Sequence, residues 1–137
     1  MEIAFAEITL NPVKPIKAIG YAQQISPMFT VHDALKGHVL LIRQEKELYV
    51  LCALDLLFPT RNLHDRLLHR LSGHFPEDMV HLMLSGTHTH FAPNIYDPEY
   101  SLIVEDRLFS AVCSASFQEA SLSCGFPSSN HQNGHES

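Results

Sequence analysis

Basic residues are scarce in this sequence: nine lysines and arginines face fifteen aspartates and glutamates, for a formal charge of −6. None of the nine gathers into a patch. That excludes a general binder of nucleic acid or of an anionic membrane, since both need a concentrated basic face. Long apolar runs are missing as well. The longest, Leu48 to Phe58, is interrupted by Asp55 and falls short of the roughly 20 residues that cross a bilayer as a helix, so no transmembrane segment is expected. The amino terminus, Met1-Glu2-Ile3-Ala4-Phe5, has no positive segment ahead of an apolar one and does not read as a secretory signal. Tryptophan is absent, and cysteine is limited to Cys52, Cys113 and Cys124. Three thiols without a Cys-x-x-Cys spacing exclude a paired disulfide framework and a cysteine zinc site. Reduced thiols and a cytoplasmic location are the expectation.

What is present is an ordinary globular composition, 45% hydrophobic and 18% charged over 137 residues, enough for one domain and no second. Ile3 to Leu10 alternates loosely and ends at Asn11-Pro12, which predicts a first strand and a turn. Pro15 to Pro27 is kept irregular by its prolines and by Gly20, where glycine permits a sharp turn close to another backbone; a plain surface loop accounts for the composition equally well. His38 to Arg43 and Glu47 to Leu54 flank Gln44-Glu45-Lys46 and read as a β-hairpin. Thr60 caps a helix from Arg61 to Ser72, with Leu63, Leu67, Leu68 and Leu71 on one face and Gly73 as its stop. His64 and His69 are five apart, share no face and read as solvated.

Val80 to Leu84 is short, apolar and closed by Ser85-Gly86, the pattern of a buried strand. The succession from Glu47 to Ser85 is therefore a βαβ unit whose two strands run parallel. Asp97-Pro98-Glu99 starts a second helix, with Val104, Leu108, Ala111, Val112 and Ala115 on its apolar face. Ser121 to Phe126 reads as a last short strand, and the polar, turn-rich segment from Pro127 as a disordered tail in which His131 and His135 are solvated. The predicted fold class is α/β, a small mixed β-sheet with a βαβ unit and helices packed on the sheet. Its domain spans residues 1–126, with a tail at 127–137.

The chemistry concentrates where the Val80 to Leu84 strand ends, in Ser85-Gly86-Thr87-His88-Thr89-His90. Ligands of open α/β sheets gather outside the carboxyl ends of parallel strands. Two imidazoles one residue apart on extended backbone project to the same side and suit a metal ion or an ion with its substrate. Ten histidines also produce such a pair by chance, and a structural pair satisfied by backbone groups is the alternative. Asp55 ends the neighbouring strand at the same edge of the sheet. Its carboxylate either orients an imidazole through the second ring nitrogen or makes a local loop hydrogen bond.

With that hexapeptide in place, the chain resembles the amino-terminal portion of the neutral (non-lysosomal) ceramidase family. Gly20-Tyr21, Val31-His32-Asp33-Ala34-Leu35 and Leu54-Asp55-Leu56 are similar to family segments in the same order and spacing, and the likeness runs from about Ile3 to Cys124. The resemblance implies a zinc-dependent hydrolysis of the amide bond of ceramide to sphingosine and a fatty acid. It makes His88 the counterpart of a zinc ligand and His90 the counterpart of the neighbouring histidine that contacts the substrate or the zinc-bound oxygen. Zinc suits such work because it lowers the pKa of bound water toward neutrality and polarises the carbonyl under attack.

The sequence departs from the family in three places, one of them the absence of the arginine and asparagine that follow the family's next hairpin. The family follows its histidines with Ser-Gly-Pro, whereas this chain has Phe91-Ala92-Pro93, a bulky ring in place of a small residue. The second histidine, glutamate and tyrosine that the family brings to the metal come from downstream segments with no counterpart here, and His32 is the one further imidazole in the matched segments. Two readings follow. One is an incomplete zinc amidohydrolase acting on a ceramide-like lipid amide, its metal completed by His90, Asp55 or a partner chain, which includes a second copy. The other is a non-catalytic domain that keeps the fold and binds a ligand or a protein.

Overall fold

The computed structural model describes residues 1–20 and 33–125. Tyr21, Val31, His32 and the tail from Phe126, with His131 and His135, lie outside the described residues. The element order is β1 (Glu2–Thr9), β2 (Lys36–Gln44), β3 (Glu47–Leu54), α1 (Arg61–His74), β4 (Met79–Gly86), α2 (Pro98–Ser114) and β5 (Gln118–Glu119). The five strands form one sheet in the order β4-β3-β2-β1-β5. Three pairings are antiparallel and β3 with β4 is parallel, so the sheet is mixed and the βαβ unit is present as the sequence predicts.

Alternation of side chains sets the two faces of the sheet. Ala4, Val39, Leu41, Leu48, Val50, Cys52 and Leu54 point to one side and are buried there under both helices. Helix α1 contributes Leu63, Leu67 and Leu71, each fully buried, and α2 contributes Tyr100, Val104, Leu108 and Val112. Leu68, expected on the same stripe, is only half-buried because it lies on the flank of α1. The Thr60 hydroxyl caps α1 by accepting from the Leu63 N–H at 3.2 Å, and the Asp97 carboxylate caps α2 by accepting from Tyr100 N–H at 2.9 Å. The helices are tied to each other by Glu105, 3% exposed, whose carboxylate accepts from Arg66 Nε at 2.5 Å and Arg70 at 3.0 Å.

Three details differ from the sequence-based expectation. Helix α1 passes through Gly73 and ends at His74, where Phe75 N–H still reaches the Leu71 carbonyl; a Cβ at Gly73 would meet nothing within 4 Å, so the glycine neither fills a contact nor breaks the turn. The last strand is Gln118–Glu119, paired with Ile3 and Glu2, and Ser121 to Gly125 is exposed irregular chain, because in this antiparallel register the chain has run past the start of β1 by Ala120. His64 is held by acceptors on both sides, the Leu82 carbonyl at 3.1 Å from Nε2 and Asp65 at 2.9 Å from Nδ1.

Candidate functional site

The site is built where β3 and β4 end side by side, with Leu54 opposite Gly86 in the parallel register. Past that point the two chains stay stitched together. Thr87 N–H donates to the Leu54 carbonyl at 2.9 Å and His88 N–H to the Leu56 carbonyl at 3.0 Å. Such close approach explains Gly86, since a Cβ there would lie 2.9 Å from the Leu56 carbonyl oxygen. His88 then takes a positive φ of 65°. This left-handed conformation costs a side-chain-bearing residue about 1–2 kcal/mol, so the surrounding hydrogen bonds must hold it. The loop is not the extended segment that the sequence suggested, yet it still brings the two imidazoles together: the His88 and His90 ring centroids are 5.2 Å apart and nearly perpendicular, at 80°.

Each ring is oriented by a backbone carbonyl. His88 Nδ1 lies 3.0 Å from the Leu57 oxygen and His90 Nδ1 lies 2.9 Å from the Gly20 oxygen. A carbonyl can only accept, so both Nδ1 atoms carry a hydrogen, and in the neutral form of each ring the lone pair lies on Nε2. That is the tautomer a metal-binding histidine uses when its second nitrogen is anchored to the backbone. The anchor for His90 also accounts for Gly20. Ile19 N–H donates to Ala92 O and Asn94 N–H to Lys17 O, which lays residues 17–20 along 90–94, and a Cβ at Gly20 would sit 2.2 Å from the His90 carbonyl oxygen.

Asp55 lies at the same edge, and its two oxygens are both engaged. Oδ1 accepts from the Thr87 hydroxyl at 3.1 Å and Oδ2 from Lys36 N–H at 2.9 Å. The carboxylate thus joins the start of β2 to the residue just before His88, while the second nitrogen of His88 is taken by Leu57. Phe91 is 61% exposed, so its ring turns outward rather than filling the core. The Leu57 carbonyl and Thr87 are the two parts of the site that sequence reasoning missed. A carbonyl has no sequence signature, but the position of Thr87 between a strand end and a histidine is a signal for a hydroxyl that ties the loop down.

As a metal centre the arrangement is partial. Two imidazole donors of the right tautomer fit zinc chemically, but no group of three His, Cys, Asp or Glu side chains that could hold a metal occurs among the described residues. Catalytic zinc ordinarily has three protein ligands. A depression of about 590 Å³ among the described residues is lined by none of the three predicted site residues and opens on the face of the sheet opposite the helices.

No protein-family model matches the sequence. No curated protein matches it either. Solved structures do. The neutral ceramidase from Pseudomonas aeruginosa superposes with a TM-score of 0.70 at 14% identity, over 81% of this chain and 20% of its own. A ceramidase complexed with C2 superposes with a TM-score of 0.56 at 18% identity, over 81% of this chain and 19% of its own. The chain therefore has the fold of a ceramidase segment and spans about a fifth of the length of those structures.

Proposed function

We propose that this chain is an incomplete ceramidase-type zinc amidohydrolase domain, taking a ceramide-like lipid amide, in which His88 is a metal ligand and His90 meets the substrate. The observation that carries the reading is the matched anchoring of the two rings, each giving its Nδ1–H to a backbone carbonyl. When bound, zinc would supply Lewis acidity toward the amide carbonyl and a water of lowered pKa. His88 would donate Nε2 to the ion. His90, its ring 5.2 Å away, would orient the amide carbonyl or take a proton at Nε2. Asp55 acts on the site through Thr87 as a positioning residue, holding the loop that forces His88 into its left-handed turn. A donor beyond the described residues, in a longer protein or a partner chain, completes the metal.

The count of donors favours a second reading beside the first, in which the domain binds zinc or a small ligand without turnover. A cytoplasmic setting is proposed on the three free thiols, of which Cys52 is buried. No helix among the described residues is long and apolar enough to cross a membrane.

The assay that tests the catalytic reading uses a fluorescent short-chain ceramide with the purified chain, with added zinc or with chelator. Slow, zinc-dependent release of fatty acid that disappears in His88→Ala is the expected result. Release that ignores zinc or survives the substitution overturns it, and zinc binding with no release transfers the case to the second reading.

A further inference from the structure

The side of the sheet opposite the helices is apolar and, among the described residues, carries no covering element. Register places Phe5, Leu40, Leu51 and Met83 in one row across four strands, with Ile3, Ile42, Tyr49 and His81 in the next. Phe5 is 65% exposed and Met83 60%. The depression of about 590 Å³ follows the first of these rows. A sheet with one buried face usually turns polar residues to water on the other. This one does so only at its two ends, and an apolar face of this kind is normally buried against another layer.

We propose that this face packs against the same face of a second copy of the chain, as a two-sheet sandwich. Charge argues for a copy. A net charge of −6 would ordinarily keep two copies apart. Yet the register leaves only two carboxylates on this face of β1 to β4, and each has a hydrogen-bonding partner in its own chain. Glu7 pairs with Lys36 at 2.8 Å and with His38 at 3.1 Å, and Glu47 pairs with His81. With Glu7 neutralised by Lys36 within one chain, the apolar centre can meet itself with one carboxylate, Glu47, left at the far end of each copy. A two-fold axis across the strands sets the Lys36 end of one copy over the Glu47 end of the other. Size agrees as well. Four strands of eight residues cover roughly 500 Å² in plan, so two copies bury roughly 1,000 Å², about the minimum for a specific interface. The dimer is accordingly expected to be weak and concentration-dependent, with sheets about 10 Å apart.

Sedimentation of the full chain from 1 to 200 µM tests this directly. The mass should rise toward twice 15.4 kDa with concentration. Phe5→Lys and Met83→Lys, both at exposed positions, should each raise the dimer dissociation constant at least tenfold while leaving the circular dichroism spectrum unchanged. Leu102→Lys, at an exposed apolar position on α2, should leave the constant unchanged. A mass that stays monomeric to 200 µM overturns the proposal, even if the chain binds neutral vesicles instead. So does a dimer that is insensitive to both lysines in variants that keep the native spectrum.

Discussion

At the scale of single residues, the site depends on two backbone constraints that the side chains alone would not suggest. His88 occupies a conformation that glycine accepts freely and alanine does not. Hence His88→Gly should be more stable than His88→Ala by about 1 kcal/mol, or roughly 3–5 °C in melting temperature, although both lose the imidazole. Thermal melts of the pair would show it, and equal stabilities would contradict the left-handed turn. Gly20 presents the opposite case, since its φ is ordinary and only space forbids a side chain. Gly20→Ala should cost about 2 kcal/mol and shift His90, because a methyl group 2.2 Å from a carbonyl oxygen must push the segment 90–94 away. A fall in stability without a change in the His90 imidazole NMR shifts would argue against the Gly20 anchor. The sequence made Gly20 legible as a point of close approach and His88 with His90 as a pair. It could not show what the rings lean on, because both partners are carbonyls.

At the scale of elements, most of the fold follows from local chemistry. Alternation set β1 to β3, Thr60 and Asp97-Pro98 set the helix starts, and the βαβ order made β3 and β4 parallel. The failures lie where a distant partner decides. β5 forms at Gln118–Glu119 because Ile3 and Glu2 are there to pair with, and nothing in residues 118–126 announces that. Likewise, α1 and α2 are joined through Glu105, which sits among apolar positions of α2 and reads as surface in the sequence. Its burial between Arg66 and Arg70 predicts an asymmetry. Glu105→Ala should lose about 2–3 kcal/mol by leaving the half-buried Arg66 guanidinium without a carboxylate and Arg70 with Asp106 alone, whereas Asp106→Ala, an exposed partner of Arg70, should lose less than about 0.5 kcal/mol. Urea denaturation of the two variants measures the difference, and comparable midpoints would refute it.

At the scale of the molecule, one face of the sheet is a sealed core and the other is uncovered by any of the described residues, and the thiols report on the sealed side. Cys52 lies in that core, where burial pushes its thiol from an ordinary value near 9 up to about 12. The Tyr100 hydroxyl, donated to the Leu10 carbonyl at 2.6 Å, is also raised by burial. Both groups ionise more readily in the unfolded chain, so stability should be intact below pH 9 and fall as the pH climbs toward 12. At pH 8 a thiol reagent should modify exposed Cys124 quickly and Cys52 only as fast as the molecule opens. Prompt reaction of Cys52 would contradict the packing. The central claim, that His88 is a metal ligand with His90 beside it, is tested most directly by zinc titration of the purified, tag-free chain beside His88→Ala and His90→Ala. About one zinc per chain at saturation, weakened at least tenfold by His88→Ala and less by His90→Ala, is the predicted result. No zinc, or equal binding by all three proteins, would contradict it.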